Sequence, residues 1–173
     1  MHPLSDFKYC PHCGSAHFNE RNAYSRCCAD CGFVFYANAS AATVAVILNA
    51  QHELLCVRRK NEPAKGTLDL PGGFVDPGEG ITDGLFREVR EEIGGEVVDF
   101  EYLFSLPNIY PYSGHVVHTA DAFFRCTLAD ERIVQAADDA EALTWIPVSQ
   151  LCPADFGLHS IRQGIALLIE RLQ

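Results

Sequence analysis

Residues 73–95 of the chain have the sequence GFVDPGEGITDGLFREVREEIGG. Its first half is rich in glycine and contains a Pro-Gly pair, a composition that is typical of a loop. In its second half three apolar side chains recur at four-residue spacing: Leu85, Val89 and Ile93. This period predicts an amphipathic helix over residues 82–93, which ends at Gly94 and Gly95. The stretch therefore predicts a loop that leads into a helix with one buried side.

The flanking sequence predicts a sheet and a second helix. Five segments favour β-strands: 43–48, 54–57, 97–105, 115–126 and 142–146. Residues 49–53 separate the first two segments and favour a hairpin. The last part of the chain carries an apolar stripe at helical spacing: Ile161, Ile165, Leu168, Ile169 and Leu172. Strands mixed with two helices predict an α/β or α+β sandwich.

The composition sets limits on the partners of the protein. A chain of 173 residues with 48% hydrophobic residues can form one good core with a small appendage. Its formal net charge of -10 argues against broad electrostatic binding of nucleic acid, so anionic substrates would need metal ions as mediators. No segment has the length and hydrophobicity of a signal peptide or a membrane span. We therefore expect a cytoplasmic protein with no membrane partner and a small phosphorylated substrate.

An acidic cluster lies on the predicted helix. Glu88, Glu91 and Glu92 stand at positions i, i+3 and i+4, so their carboxylates project from one side of the helix. Hard oxygen ligands of this kind suit Mg²⁺ or Mn²⁺. A solvated helix face is the alternative interpretation, because Arg87 and Arg90 are close enough to pair with some of these glutamates.

The residues around the helix favour a binding site. Gly72 and Gly73 allow the backbone to approach a ligand or a metal. Glu79 precedes the helix at a position where Arg87 could hold its carboxylate in place. An ordinary surface helix needs neither feature.

Five residues separate Gly73 from Glu79, and seven residues separate Glu79 from the run REVREEIG at residues 87–94. This spacing resembles the Nudix box, the signature of the Nudix hydrolase family. The chain departs from the family pattern at Gly95, where the family has an aliphatic residue, and this change concerns packing behind the helix more than chemistry. The resemblance implies an α/β fold: a loop–helix–loop within an α/β/α sandwich with a mixed sheet.

The resemblance also implies roles for these residues. A divalent metal would be bound by the carboxylates of Glu88, Glu91 and Glu92 and by the backbone carbonyl of Gly73. Arg87 would orient Glu79. The metal would screen the negative oxygens of a diphosphate and lower the pKa of a bound water, which then attacks phosphorus. The implied enzyme is a pyrophosphohydrolase that cleaves the diphosphate linkage of a nucleoside diphosphate derivative.

The general base is a separate question. Asp138, Asp139 and Glu141 precede the strand that contains Trp145, where related enzymes often supply a further carboxylate. We favour Glu141 slightly over Glu88 as the group that helps to activate the water. A solvated turn is the alternative interpretation of this acidic run.

The N-terminal cysteines predict a second metal site. Cys10-Pro-His-Cys13 and Cys28-Ala-Asp-Cys31 are separated by 14 residues, a spacing typical of four-cysteine zinc sites. Four thiolates fill a tetrahedral Zn²⁺ and leave no position for water, so the zinc would be structural. Cys27 could replace Cys28, but the C-x-x-C register favours Cys28. Disulfides are the alternative, and a reducing cytoplasm disfavours them.

The two motifs predict the domain organisation. We expect a small zinc ribbon over residues 1–37 and a Nudix hydrolase domain over residues 38–173. A zinc ribbon directly before a Nudix domain is similar to the arrangement in NADH pyrophosphatases. Residues 105–113 also match part of a sequence that those enzymes carry after the box, although Asn108 replaces its tryptophan and Leu106 its glutamine.

Candidate substrate contacts lie in and near the same segment. Tyr110 and Tyr112 could stack on a base or a nicotinamide ring, or they could be core aromatics. The position of Pro111 is similar to ADP-ribose pyrophosphatases, whereas the nearby tyrosine is similar to dinucleoside polyphosphate hydrolases. Arg58 and Arg59 follow the second predicted strand and could meet substrate phosphates, since arginine offers a bidentate fork, with plain surface charge as the alternative. We rank a dinucleotide of the NADH or ADP-ribose type first and leave other nucleoside diphosphate derivatives open.

The competing class of function is a binding protein. A zinc-ribbon adapter, or a sensor that binds a nucleotide without cleaving it, would be expected to have lost carboxylates of the box. All of them are present here: Glu79, Glu88, Glu91 and Glu92. No basic strip for DNA accompanies the ribbon. The family resemblance alone also allows a homodimer.

Overall fold

The computed structural model of the chain describes residues 2–137 and 140–172. Its residue packing forms two compact units. The smaller unit comprises Met1–Ala39 together with Pro111–Val117, and the larger comprises Ser40–Tyr110 together with His118–Gln173. The division predicted from the sequence, into residues 1–37 and 38–173, does not group Pro111–Val117 with the N-terminal residues, whereas the structure does.

The smaller unit is built on a three-stranded antiparallel sheet. Its strands are β1 (Phe18–Asn22), β2 (Ser25–Cys28) and β3 (Val34–Tyr36), in the order β1-β2-β3. So small a sheet has little apolar surface, and its buried core contains Phe18 with Cys10 and Cys28. A unit of about 46 residues has too small a core to be stable without a metal, disulfides or another crosslink in most proteins. Cys10 and Cys28 lie in this small core, where a crosslink would stabilise the unit.

Within the described residues, the larger unit contains two helices and most of two sheets; the adjoining ends of two strands, within Pro111–Val117, group with the smaller unit. One sheet has the order β4-β8-β7, formed by β4 (Ser40–Ile47), β8 (His115–Leu128) and β7 (Val97–Tyr112). The other has the order β6-β5-β9, formed by β6 (Leu68–Asp69), β5 (Glu53–Arg59) and β9 (Ala140–Pro147). The helices are α1 (Ile81–Ile93) and α2 (His159–Leu172), and short 3-10 turns at Val148–Gln150 and Pro153–Asp155 precede α2. Strand β4 is parallel to β8, whereas β5 is antiparallel to both of its neighbours, so the strands are mixed in direction.

Alternation along the strands divides the apolar side chains between two cores. In β4, Ala45 and Ile47 pack in the core of α1, whereas Val44 and Val46 pack in the core of α2. A strand places successive side chains on opposite faces, so one strand serves both cores. The predicted stripe of α1 is fully buried: Leu85, Val89 and Ile93. The helices cover opposite faces of the strands, and the predicted α/β/α sandwich is confirmed.

The predicted hairpin at residues 49–53 is a tight turn between strands that then diverge. Leu48 and Leu54 form an isolated antiparallel bridge, and the N–H of Asn49 donates to the Glu53 carbonyl at 3.0 Å. Beyond this bridge β4 pairs with β8, while β5 pairs with β6 and β9. A turn sequence specifies a local reversal of the chain, whereas the pairing partners depend on distant strands.

Strand β7 is longer than the sequence predicts, since it continues to Tyr112 instead of ending at residue 105. Its second half contains Pro107 and Pro111, which lack an N–H donor. β7 is the outer strand of the order β4-β8-β7, where a missing donor disrupts no central ladder. The segment 105–113 therefore lies largely on an edge strand.

Both helices are short. α1 has 13 residues and α2 has 14, whereas a helix needs about 20 apolar residues to cross a bilayer. Within the described residues, no helix has both the length and the hydrophobicity of a membrane span.

Candidate active site and cysteine cluster

Helix α1 is bounded by glycines. The N–H of Gly80 donates to the carboxylate of Asp83 at 3.0 Å, which satisfies a backbone group at the start of the helix. Gly94 takes a left-handed φ of 66°, which ends the helix. Because the apolar stripe faces the core, the acidic residues between its members are turned towards the loop that precedes the helix.

Arg87 is the centre of the polar side of α1. Its Nε and Nη2 donate to the two carboxylate oxygens of Glu79 at 2.8 and 3.1 Å. Its Nη1 donates to Glu88 at 2.8 Å and to Glu91 at 2.9 Å. Nη2 also donates to the backbone carbonyl of Phe74 at 2.9 Å. One guanidinium thus joins the helix, Glu79 and the glycine-rich loop.

These contacts shift the pKa values of the partners. The hydrogen bond from Arg87 lowers the pKa of Glu79, and the hydrogen bond to Glu79 raises the pKa of Arg87 far above its usual range. Four carboxylates contact this guanidinium, those of Glu79, Glu88, Glu91 and, at 3.9 Å, Asp76, so the group has three negative charges in excess when all are ionised. Such an excess of negative charge on oxygen atoms favours a bound cation.

Gly72 and Gly73 lie in close contact with neighbouring groups. A Cβ on Gly73 would lie 2.6 Å from the carboxylate of Glu88, and a Cβ on Gly72 would overlap the backbone carbonyl of Thr43. The N–H of Gly72 donates to the carboxylate of Glu92 at 3.0 Å. The turn therefore approaches two of the three helix glutamates through backbone atoms.

The carbonyl of Gly73, a candidate metal ligand, accepts a hydrogen bond from the N–H of Thr43 at 2.8 Å. This bond holds the turn against β4. A carbonyl oxygen has two lone pairs, so one acceptor position remains for a second partner.

The donor set of the turn and helix fits a hard divalent cation. Carboxylates and a carbonyl supply oxygen, and the space beside Gly73 is filled by a carboxylate where a side chain would otherwise lie. Within the described residues, only the N-terminal cysteines bring three or more potential ligand atoms within 4.8 Å of one another. In the described part of the chain the glutamates form no such cluster: Glu79, Glu88 and Glu91 contact Arg87, whereas Glu92 accepts a hydrogen bond from Gly72.

The four cysteines of the two C-x-x-C pairs meet in the smaller unit, with all four sulfur atoms within 4.8 Å of one another. The Sγ atoms of Cys10 and Cys31 are 3.7 Å apart, and those of Cys13 and Cys28 are 3.6 Å apart. Four sulfurs at about 2.3 Å from a tetrahedral zinc would be separated by about 3.8 Å. The cluster therefore has the dimensions of a four-thiolate zinc site.

Cys28 belongs to this cluster, and Cys27 does not. The Sγ of Cys27 instead donates to the backbone carbonyls of Cys28 and Gly32 at 3.7 and 3.9 Å. The backbone N–H of Cys31 lowers the pKa of the Cys28 thiol, whereas desolvation and the neighbouring thiols raise the pKa values of Cys13 and Cys31.

The three candidate substrate contacts differ in their exposure and in their partners. Tyr110 is half-buried and packs edge to face against Phe74, with ring centroids 5.5 Å apart. Tyr112 is 64% exposed and belongs by packing to the smaller unit. Arg58 is exposed, and its Nη1 donates to the carbonyl of Gly66 at 2.5 Å.

The candidate bases lie at the start of β9. The side chain of Glu141 is exposed there, as the second residue of the strand. Asp138 and Asp139 lie outside the described residues.

A buried ion pair that was not predicted from the sequence lies beside the candidate site. Arg59 donates to the carboxylate of Asp69 at 2.5 Å and to the hydroxyl of Tyr110 at 3.3 Å. Asp69 is only 5% exposed. One signal was available: Asp69 stands between Leu68 and Leu70, and a charged residue inside a short apolar run usually has a buried partner.

The fold and the acidic turn define the class of the protein. The NUDIX domain family matches residues 38–168, and the chain therefore belongs to this family, as the sequence motif predicted. Among its relatives, the NAD-capped RNA hydrolase NudC of Pseudomonas putida is 28% identical over 166 residues, which cover 96% of this chain and 57% of the relative. The ADP-ribose pyrophosphatase of Methanocaldococcus jannaschii is 33% identical over 113 residues, 64% of either chain. These relatives are named as a hydrolase and a pyrophosphatase.

A solved structure has the same fold. The crystal structure of a NUDIX hydrolase from Nitrosomonas europaea matches with a TM-score of 0.71 over 95% of this chain and 91% of that chain, at 18% identity. At this identity the likeness concerns the fold alone. The chain spans 57% of the length of the NudC relative from Pseudomonas putida.

Proposed function

We propose that the chain is a divalent-metal-dependent hydrolase that cleaves the diphosphate linkage of a nucleoside diphosphate derivative, with a dinucleotide of the NADH or ADP-ribose type as the first candidate. The observation that carries the proposal is the grouping of Glu79, Glu88 and Glu91 around Arg87 beside the Gly73 turn. The relatives support the substrate class, because NAD and ADP-ribose both contain a diphosphate.

In this proposal some residues of the box bind the metal and others orient the metal ligands. The metal ligands in this proposal are Glu88, Glu91, Glu92 and the backbone carbonyl of Gly73. When bound there, Mg²⁺ or Mn²⁺ supplies charge screening and a water of lowered pKa. Arg87 orients Glu79, and the N–H of Gly72 fixes the carboxylate of Glu92.

A base must also accept a proton from the attacking water. We assign this role to Glu141, slightly ahead of Glu88, because its exposed carboxylate at the start of β9 is accessible to water. Tyr110 and Tyr112 are proposed to stack on the ring systems of the substrate, and Arg58 to contact a phosphate. Of these, Tyr110 has the most direct support, because its ring contacts Phe74, the residue after Gly73.

The cysteine cluster is proposed to bind a structural Zn²⁺ within a ribbon domain of residues 1–37 that precedes a Nudix domain of residues 38–173. The sulfur separations support this proposal, and four thiolates leave no open position for catalysis. A cytoplasmic location and a homodimer remain predictions, and light scattering of the purified protein tests the second.

Product release from a panel of substrates tests the proposed function. The panel contains NADH, NAD, ADP-ribose, an NAD-capped RNA, dinucleoside polyphosphates, nucleotide sugars and nucleoside triphosphates, each with Mg²⁺, with Mn²⁺ and with EDTA. We expect metal-dependent cleavage of NADH or ADP-ribose to two phosphorylated products. The capped RNA is included because of the name of the NudC relatives.

The alternative is a non-catalytic nucleotide sensor or adapter. Saturable binding of a nucleotide without cleavage of any member of the panel would favour it. The complete set of box carboxylates argues against this alternative, since a sensor has no need to keep them.

A further inference from the structure

Arg59, the last residue of β5, is connected to three other segments of the chain. Its Nε donates to the carbonyl of Pro63 at 2.7 Å, in the loop after β5. Its Nη1 donates to Asp69 of β6 at 2.5 Å, and its Nη2 donates to the hydroxyl of Tyr110 of β7 at 3.3 Å. Each nitrogen has its own partner, so the guanidinium plane is held from three directions.

Burial makes this arrangement rigid. The side chain of Asp69 is 8% exposed and that of Arg59 is 17% exposed. Desolvation raises the pKa of Asp69, against the opposing effect of Arg59. A carboxylate this deep in the protein needs its cation, and the cation is therefore not free to leave it. The adjacent Arg58 differs, because it is exposed and bonded to a loop carbonyl.

Tyr110 connects the pair to the Nudix box. Its ring meets the ring of Phe74 at an interplanar angle of 90°, with centroids 5.5 Å apart. Phe74 directly follows Gly73, and its carbonyl accepts a hydrogen bond from Arg87. A continuous series of contacts therefore leads from the buried pair to the centre of the site: Asp69, Arg59, Tyr110, Phe74 and Arg87.

We infer that Arg59 is a positioning residue that sets the place of the Tyr110 ring, and thereby the fit of the aromatic part of a dinucleotide substrate beside the box. This inference rests on the proposed function. Arg59 acts through Tyr110 and does not touch the substrate. Its loss weakens substrate binding and leaves the chemical step unchanged, because the box carboxylates keep their own contacts with Arg87.

Arg59→Lys is the variant that tests the inference with the least damage to the fold. Lysine keeps a positive charge beside Asp69, but its single nitrogen does not reproduce the fork that reaches both Asp69 and Tyr110. We expect KM for the cleaved dinucleotide to rise about tenfold, which corresponds to about 1.4 kcal/mol of binding free energy, with kcat unchanged. The dissociation constant of ADP-ribose, measured by calorimetry in EDTA, should rise by the same factor.

A double-mutant cycle with Tyr110→Phe separates positioning from general damage. Phenylalanine keeps the ring, removes the hydroxyl and leaves the Arg59–Asp69 pair intact. If Arg59 acts through Tyr110, Arg59→Lys adds no further loss of affinity in the Tyr110→Phe background. Additive effects of the two changes would overturn the inference.

Arg125→Gln is the matched control, because it breaks an exposed arginine–carboxylate pair with Glu101, whose atoms lie 2.5 Å apart. It should change neither KM nor the dissociation constant. If Arg59→Lys does not fold, Tyr110→Phe alone must still weaken ADP-ribose binding, and an unchanged constant overturns the inference. If the wild-type protein cleaves nothing in the panel, the proposed function fails, and the calorimetric constants in EDTA still decide the role of Arg59.

Discussion

A methyl group on Gly73 would occupy the space that the Glu88 carboxylate fills. The Cβ would lie 2.6 Å from the Cδ and Oε2 atoms of Glu88. Ordinary contact between non-bonded carbon atoms is at about 3.5–4.0 Å, so the carboxylate must move by about 1 Å. The carboxylate is the end of a flexible side chain and can move without disturbing the backbone. We therefore expect Gly73→Ala to fold with a melting temperature close to that of the wild type.

The activity of Gly73→Ala should fall much more than its stability. A displacement of about 1 Å in a catalytic group costs on the order of 100-fold in rate, and we expect kcat/KM to fall by that factor. The assay uses the best substrate of the panel at saturating Mg²⁺. Calorimetric titration with Mn²⁺ in the absence of substrate should show weaker binding, because Glu88 is a proposed ligand.

Gly72→Ala is the matched variant, one residue away and with the opposite expected outcome. Gly72 has a φ of 144°, and its Cβ would overlap the backbone carbonyl of Thr43 on β4. The clash is between the turn at Gly72 and the backbone of β4, and neither segment has a flexible side chain that could move away. We therefore expect the free energy of unfolding, measured in urea, to fall by about 3 kcal/mol. The expectation is wrong if Gly73→Ala keeps the kcat/KM and the Mn²⁺ affinity of the wild type. It is also wrong if both glycine variants are destabilised equally.

Three other substitutions test the Arg87–Glu79 ion pair and the cysteine cluster. Arg87→Gln removes the hydrogen bond that lowers the pKa of Glu79, so this pKa should rise towards its ordinary value of about 4.3. The acid limb of the kcat/KM profile should then move to higher pH. An unmoved limb would contradict a need for ionised Glu79. Cys28→Ser should lose bound zinc, measured by elemental analysis, and melt at a lower temperature, whereas Cys27→Ser should keep both properties of the wild type. Equal zinc loss in the two cysteine variants would count against the assigned ligand set.

The elements with local signals were predictable from the sequence. The four-residue period of Leu85, Val89 and Ile93 determines which side of α1 is buried, whatever the helix packs against. The C-x-x-C register likewise separates Cys28 from Cys27 before any fold is known, because the spacing within each pair is a property of the local chain.

Partners far apart along the chain were not predictable in this way. Arg59 is 10 residues from Asp69 and 51 residues from Tyr110, and no periodicity connects such positions. The sequence offered both Arg58 and Arg59 as phosphate contacts and gave no sign that Arg59 pairs with Asp69 and Tyr110. Arg58 is exposed and Arg59 is half-buried, and this difference depends on Asp69 and Tyr110, which lie on other strands.

The sequence by itself determined the family, the buried side of α1, the acidic residues of the box and the four-cysteine register. Only the tertiary structure decided how far β7 extends, which strands pair, that a carboxylate fills the space beside Gly73 and that Arg59 reaches Tyr110. The physical reason is the range of the interactions. Periodicity, turns and ligand spacing act within a few residues, whereas strand pairing and buried ion pairs depend on how distant segments pack together.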